Sequence, residues 1–234
     1  MPRTARLLLD GGCYHILTRG NNQATVFHDS VDFQRYGRLL ATYLPEHQIA
    51  LYHYCLMTNH VHLIIETATA EGLRKAMQGI NLSYALAYKK RHGHIGHFWQ
   101  DRFKSLLIAK DDYLLQCGAY VELNPVRANI VTAPAAYPWS SYRVYAQGHP
   151  DPLVTLNPLY EAFGKTVGER QAAYQQFIHQ RLPEFPSDWM ARRALGPSAF
   201  LQELGRQFDY PLIARARGRP VGSKMNRAGR TREK

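Results

Sequence analysis

Two histidines separated by one valine, His60 and His62, head the apolar run MTNHVHLIIE at residues 57–66. The interleaved series Met57, Asn59, Val61, Leu63 and Thr58, His60, His62, Ile64, with their β-branched content, predict a strand. Successive strand side chains point to opposite faces, so the two imidazoles share one face with Cα atoms about 6.6 Å apart. Such a pair admits two readings. It is either two ordinary strand histidines hydrogen-bonded at a sheet edge, or two ligands converging on one cation.

A second pair stands downstream in AYVELNPVRA, residues 119–128. Tyr120 and Asn124 are four apart and share a helical face if the helix persists that far. Asn124 could lend an amide oxygen to a metal with the Tyr120 phenol beside it, or Tyr120 could pack while Asn124 ends the helix before Pro125.

The elements that must position these groups follow from periodicity. GGCYHILTRG (residues 11–20) reads as a strand, 32–46 as a helix, 49–56 and 60–66 as strands, and 71–91 as a helix with a basic end. Residues 92–99, HGHIGHFW, read as a loop. FKSLLIAK (103–110) resumes the strand pattern, and a helix capped by Asp111 or Asp112 runs to Pro125. The order β-α-β-β-α-β-α predicts an α+β fold, a ferredoxin-like antiparallel sheet with helices on one face. After about residue 138 the chain is punctuated by proline, with helices expected at 159–182 and 198–208. The expected units are a main domain over 1–150, a small helical region over 151–214 and a basic tail over 215–234.

Composition narrows the partners. The 234 residues are 45% hydrophobic with 15 tyrosines, enough for a core, and no apolar run approaches the roughly 18 residues that span a bilayer. With too short an apolar stretch for a signal peptide, a cytoplasmic address is expected. Cys13, Cys55 and Cys117 are odd in number and far apart, which suits buried free thiols. The net charge of +11 points to a polyanion. The last 20 residues hold eight basic groups and one acid, a net +7, against +4 for the preceding 214.

The combination of N-H-V-H-L-I, F-W-Q-D-R-F-K about forty residues later, and D-Y-L-L-x-C-x-x-Y-V-E-L-N-P-V-R-A closely resembles the single-tyrosine transposases with a histidine-hydrophobe-histidine signature. Within that family it looks most like the REP-associated tyrosine transposases, over roughly residues 5–150. The resemblance implies that His60 and His62 hold a divalent metal, that Asn124 falls on the amide-ligand position and that Tyr120 falls on the nucleophile. Related insertion-sequence enzymes usually carry glutamine at the third position, where this chain has the shorter asparagine. It further implies cutting of single-stranded DNA at hairpins of repetitive extragenic palindrome type, through a 5′-phosphotyrosine with release of a 3′-hydroxyl. Magnesium or manganese is the metal expected from the family, and both monomer and homodimer stay open.

The residue types suit that chemistry. A cation with open positions neutralises phosphodiester oxygens as charge develops. A phenolate leaves more readily than an alkoxide, so a tyrosyl ester conserves the bond for rejoining. A noncatalytic regulator that keeps the fold to bind DNA hairpins is the alternative. A replication-initiator nickase of the same chemistry would need a further domain that 234 residues do not hold.

Basic groups beside aromatics suit a single strand. Arg19, Asn21 and Asn22 in R-G-N-N, Arg102 and Lys104 around Phe103 near Trp99, and Arg127 are the candidate DNA contacts. In the tail, Arg217-Gly218-Arg219-Pro220, preceded by Arg215, matches the R-G-R-P core of an AT-hook suited to narrow A-T minor grooves or serves only as polycationic charge. His53, His92, His94 and His97 read as surface or loop residues.

Overall fold

A computed structural model of the chain describes residues 6–181, 192–209 and 212. The tail candidates Arg215, Arg217 and Arg219 lie outside these residues. Strand β1 (Cys13–Arg19) is followed by helix α1 (Ser30–Glu46), strands β2 (Ile49–Met57) and β3 (His60–Thr67), and helix α2 (Ala70–His92). Strand β4 (Lys104–Ile108) leads into helix α3 (Asp112–Arg127) and short helix α4 (Tyr142–Gln147). Helix α5 (Val167–Arg181), strand β5 (Ala194–Leu195) and helix α6 (Ser198–Gln207) complete the described chain.

The sheet order is β2-β3-β1-β4-β5. The first four strands pair antiparallel, and β5 adds a short parallel edge on β4, so the sheet is mixed rather than purely antiparallel. The turn Thr58-Asn59 joins β2 to β3, as the sequence predicts. β1 lies in the middle, and its register sets Leu17 opposite His62 and Arg19 opposite His60.

Helix placement departs from expectation. Alternation along the strands sends Tyr14, Ile16, Leu63 and Ile65 to one face, where they pack with Leu40 of α1 and Leu73, Ile80 and Tyr84 of α2. The other face carries Cys13, Cys55, Ile64 and Leu106 beneath Leu114, Cys117 and Val121 of α3. Helices therefore cover both faces, because α3 has its own apolar stripe and the sheet offers it a second apolar surface. Each such fully buried aliphatic side chain contributes about 1.5–3 kcal/mol. The three cysteines are free and buried, as expected. On its outer side α3 packs Ala119 and Leu123 against Tyr142, Tyr145 and Tyr174, so α4 and α5 form a further layer over it.

Two helix limits also differ. The predicted helix at 159–182 is split into a 3-10 turn at Pro158–Phe163 and α5, with Gly164 between them. Helix α3 does not stop at Pro125 but runs to Arg127. Proline cannot donate to the Val121 carbonyl. Asn124 Nδ2 takes that carbonyl at 3.3 Å and the Tyr120 carbonyl at 2.8 Å, which lets the helix pass through.

A polar cluster is closed off beneath α3. His53 of β2 and Glu122 of α3 are both 0% exposed and joined at 2.9 Å. Glu122 also accepts hydrogen bonds from Ser141 Oγ at 2.7 Å and Tyr174 Oη at 2.8 Å, while His53 Nε2 lies 3.2 Å from Asn157 Nδ2. His53 is therefore a core residue and not a surface one. His92 is exposed, as expected, at the end of α2, where it bonds Asp32 of α1. Gly118 faces the His53 ring so closely that a Cβ there would lie 2.7 Å from His53 Nε2. Among the described residues no helix is long and apolar enough to cross a membrane.

Candidate active site

β1 and β3 lie side by side, and their residues facing α3 include His15, Arg19, His60 and His62. α3 crosses that face and brings Tyr120 and Asn124 to the same end, because residues four apart share one helical stripe. The result is an open cavity of about 640 Å³ lined by Arg19, His60, His62, Tyr120 and Asn124, with Gln100, Asp101, Arg102 and Lys104 on its far wall.

The two imidazoles stand nearly perpendicular, with ring centroids 4.8 Å apart. His62 Nδ1 lies 2.7 Å from His15 Nε2, and His60 Nδ1 lies 2.6 Å from Asn59 Oδ1. When both Nδ1 atoms donate in these bonds, each Nε2 keeps its lone pair, the tautomer a metal ligand requires. His15 is the residue sequence reasoning missed. It sits two residues from Leu17, the cross-strand partner of His62. Its alternation with Arg19 in CYHILTR was the available signal.

Asn124 has its amide nitrogen committed to helix carbonyls, which leaves Oδ1 as the atom for the cavity. No group of three or more His, Cys, Asp or Glu side chains among the described residues could hold a metal, so a cation here would draw on that amide. Two imidazole nitrogens and one amide oxygen fit a divalent ion with open positions.

Burial holds the histidines neutral. His15 is lowered to about 3 by desolvation and then by the charge of His60, and His60 to about 4 by desolvation and then by Arg19. His62, 3% exposed, is lowered well below its ordinary value of 6.5, first by desolvation. The unfolded chain takes up protons near pH 6.5 and the folded one does not, so stability is present above that pH and is lost as pH falls towards about 3. Without added metal, the melting temperature is expected to drop steadily from pH 7 to pH 4. A His62→Gln protein should show a flatter slope, and equal slopes would contradict the neutral cluster.

Around Tyr120 the rings of His62 and His15 stand edge-on at 5.9 and 5.8 Å, and the Arg127 guanidinium lies over the phenol ring at 4.9 Å. Of the basic candidates, Arg19, Arg102 and Lys104 reach the cavity. The Arg19 Nε is buried without a hydrogen-bond partner among the described residues. Asn21 and Asn22 occupy an exposed turn just past β1 and do not line the cavity. The Asn21 backbone bonds to Phe98 O, and Gln100 N to Arg19 O, so the loop before β4 is stitched to the end of β1. Trp99 lines a neighbouring cavity instead, its Nε1 donating to the Asn81 carbonyl at 2.9 Å.

Paired histidines on the inner strand β3 thus face a tyrosine on the helix laid across them. Residues 10–124 match the model of the family described as transposase IS200 like. Seven solved chains match the structure. Among them, the REP-associated tyrosine transposase bound to a REP hairpin has a TM-score of 0.53 and 18% identity, covering 64% of this chain and 89% of that one. The α+β fold is thus that of the REP tyrosine transposase. No curated protein sequence matches the chain.

Proposed function

We propose that the protein cleaves and rejoins single-stranded DNA beside hairpins of repetitive extragenic palindrome type, with Tyr120 as nucleophile and a divalent cation, Mg2+ or Mn2+, on His60, His62 and Asn124. The observation that carries this reading is one cavity that gathers Tyr120, two neutral imidazoles, an amide and three basic side chains from four separate segments. The family match supports the reaction class, and the hairpin in the structural relative supports the substrate.

When bound, the cation neutralises phosphate oxygens as negative charge develops on them. Arg19, Arg102 and Lys104 hold the strand's phosphates at the cavity wall. Arg127 places its positive charge over the face of the phenol ring. Tyr120 Oη bonds to phosphorus and its proton passes to solvent. The P–O3′ bond breaks, and the departing oxygen takes a proton to become a 3′-hydroxyl. Rejoining runs the same steps with an incoming 3′-hydroxyl, and needs no nucleotide cofactor.

Ligands on a preformed sheet and helix imply that metal serves chemistry rather than folding. Chelation is expected to abolish cleavage of a hairpin oligonucleotide while moving the melting temperature by less than about 4 °C, the shift that roughly 1 kcal/mol or less would cause. Collapse of the fold on chelation would instead mark a structural metal.

Deleting residues 215–234 removes most of the net charge. It is expected to weaken DNA binding and flatten its salt dependence, by about 0.7 in slope for each single-strand phosphate that the tail no longer neutralises, while cleavage at saturating DNA persists. Titrations at several salt concentrations test this, and an unchanged slope takes the tail out of the interface.

A further inference from the structure

Behind Gln100, Asp101 and Arg102, which form the far wall of the candidate active site, lies a second cavity of about 790 Å³ that shares those same three residues. Its apolar wall comes from Met77 and Leu82 of α2 with Trp99 and Phe103. Trp99 is 9% exposed and pinned by its bond to the Asn81 carbonyl. The Arg6 guanidinium stacks on the Phe103 ring with Cζ 3.8 Å from the centroid, and its Nε donates to Phe103 O at 2.9 Å. That leaves a flat cationic plane beside the apolar wall. Burial, and then the charge of Arg102, lower Arg6 to about 10, so it stays protonated at neutral pH.

One polar atom in this cavity stands out. Asn81 Oδ1 is buried and has no hydrogen-bond partner among the described residues, although Asn81 lines the space. A buried acceptor without a donor is costly, and a ligand N–H offsets that cost. Flat apolar surface, a stacked arginine and one amide acceptor together suit a nucleobase. Neither a bare phosphate nor an apolar peptide would use all three.

Resting on the proposed strand-cleavage function, we propose that this second cavity holds the base of a nucleotide adjacent to the scissile phosphate and favours bases with an exocyclic amino group over thymine, read by Asn81 Oδ1. A strand whose phosphate lies against Arg102 in the first cavity can pass its next base over the shared wall into the second. Adenine, cytosine and guanine each offer an amino donor, whereas thymine has only its ring N3–H.

The test reads binding alone. The Tyr120→Phe protein is used to select from single-stranded DNA carrying a self-complementary stem of random sequence with random flanks. Thymine is expected to be depleted about five- to tenfold at one flank position, the discrimination a single hydrogen bond gives. Asn81→Ala should abolish the depletion and Asn81→Asp, which keeps an acceptor, should preserve it. 5-Iodocytosine at that position should photocrosslink to a peptide within residues 74–103. A preference untouched by Asn81→Ala, or crosslinks only outside that stretch, overturns the subsite. Since cleavage is not read, these results stand apart from the nucleophile. A Tyr120 adduct with no Asn81-dependent preference sinks the subsite alone, whereas failure to select any DNA overturns both.

Discussion

Tyr120→Phe is expected to abolish the covalent protein–DNA adduct on a single-stranded hairpin substrate, a loss on the order of a thousandfold or more, as removal of a nucleophile causes. Tyr113→Phe should retain it. The two phenols are seven residues apart, nearly two helical turns, so periodicity sets them on about the same face and cannot separate them. Position along the helix does. Tyr113 sits in the first turn of α3, where its backbone N–H is capped by Asp111 at 3.0 Å and its ring packs against the apolar cluster under the helix. At about 1.5 Å per residue it lies roughly 10 Å along the axis from Tyr120. Tyr120 lies against His62 and lines the cavity with Asn124. Binding should change little in either variant, since each loses only a hydroxyl. Labelled oligonucleotide on a denaturing gel decides the matter, and an adduct surviving in Tyr120→Phe would overturn the assignment.

The largest stability loss is expected at Glu122. Its carboxylate is the shared acceptor for His53, Ser141 and Tyr174, all within 2.9 Å, and all four side chains are buried. Glu122→Ala leaves three buried polar groups without that partner and opens a cavity under α3. Removing one member of a buried hydrogen-bonded pair costs about 3–5 kcal/mol. Urea unfolding of wild type and variant measures this directly, with Glu122→Gln falling between them because it keeps an acceptor oxygen. A loss under about 1 kcal/mol would show that the network contributes little to holding α3 against β2 and α5.

The candidate site was legible in sequence where chemistry follows a short period. His60 and His62 share a face because strands repeat every two residues, and Tyr120 and Asn124 because helices repeat near four. Their meeting in one cavity depends on which sheet face α3 covers, a relation between distant segments that no local period contains. His15 escaped because its role depends on the β1–β3 register, a relation between distant segments. His53 was misjudged for the same reason: its partners come from α3 and from residues 141–174. The α3 pattern announced a helix but not which sheet face it would cover, since either face of an apolar sheet accepts an apolar stripe. Asn81 gave no signal at all, being one polar residue on a long helix until Trp99 and Phe103 fold beside it.

Gly118 constrains what the nucleophile can do between the two halves of the proposed reaction. The His53 ring it faces is held at both nitrogens and cannot turn aside, so α3 is seated directly on β2 with no side chain as spacer. Tyr120, two residues on, therefore belongs to the body of the molecule and not to a swinging arm. In the proposed reaction the tethered strand end would stay at a fixed point, and an exchange of partners would fall to the free 3′ end.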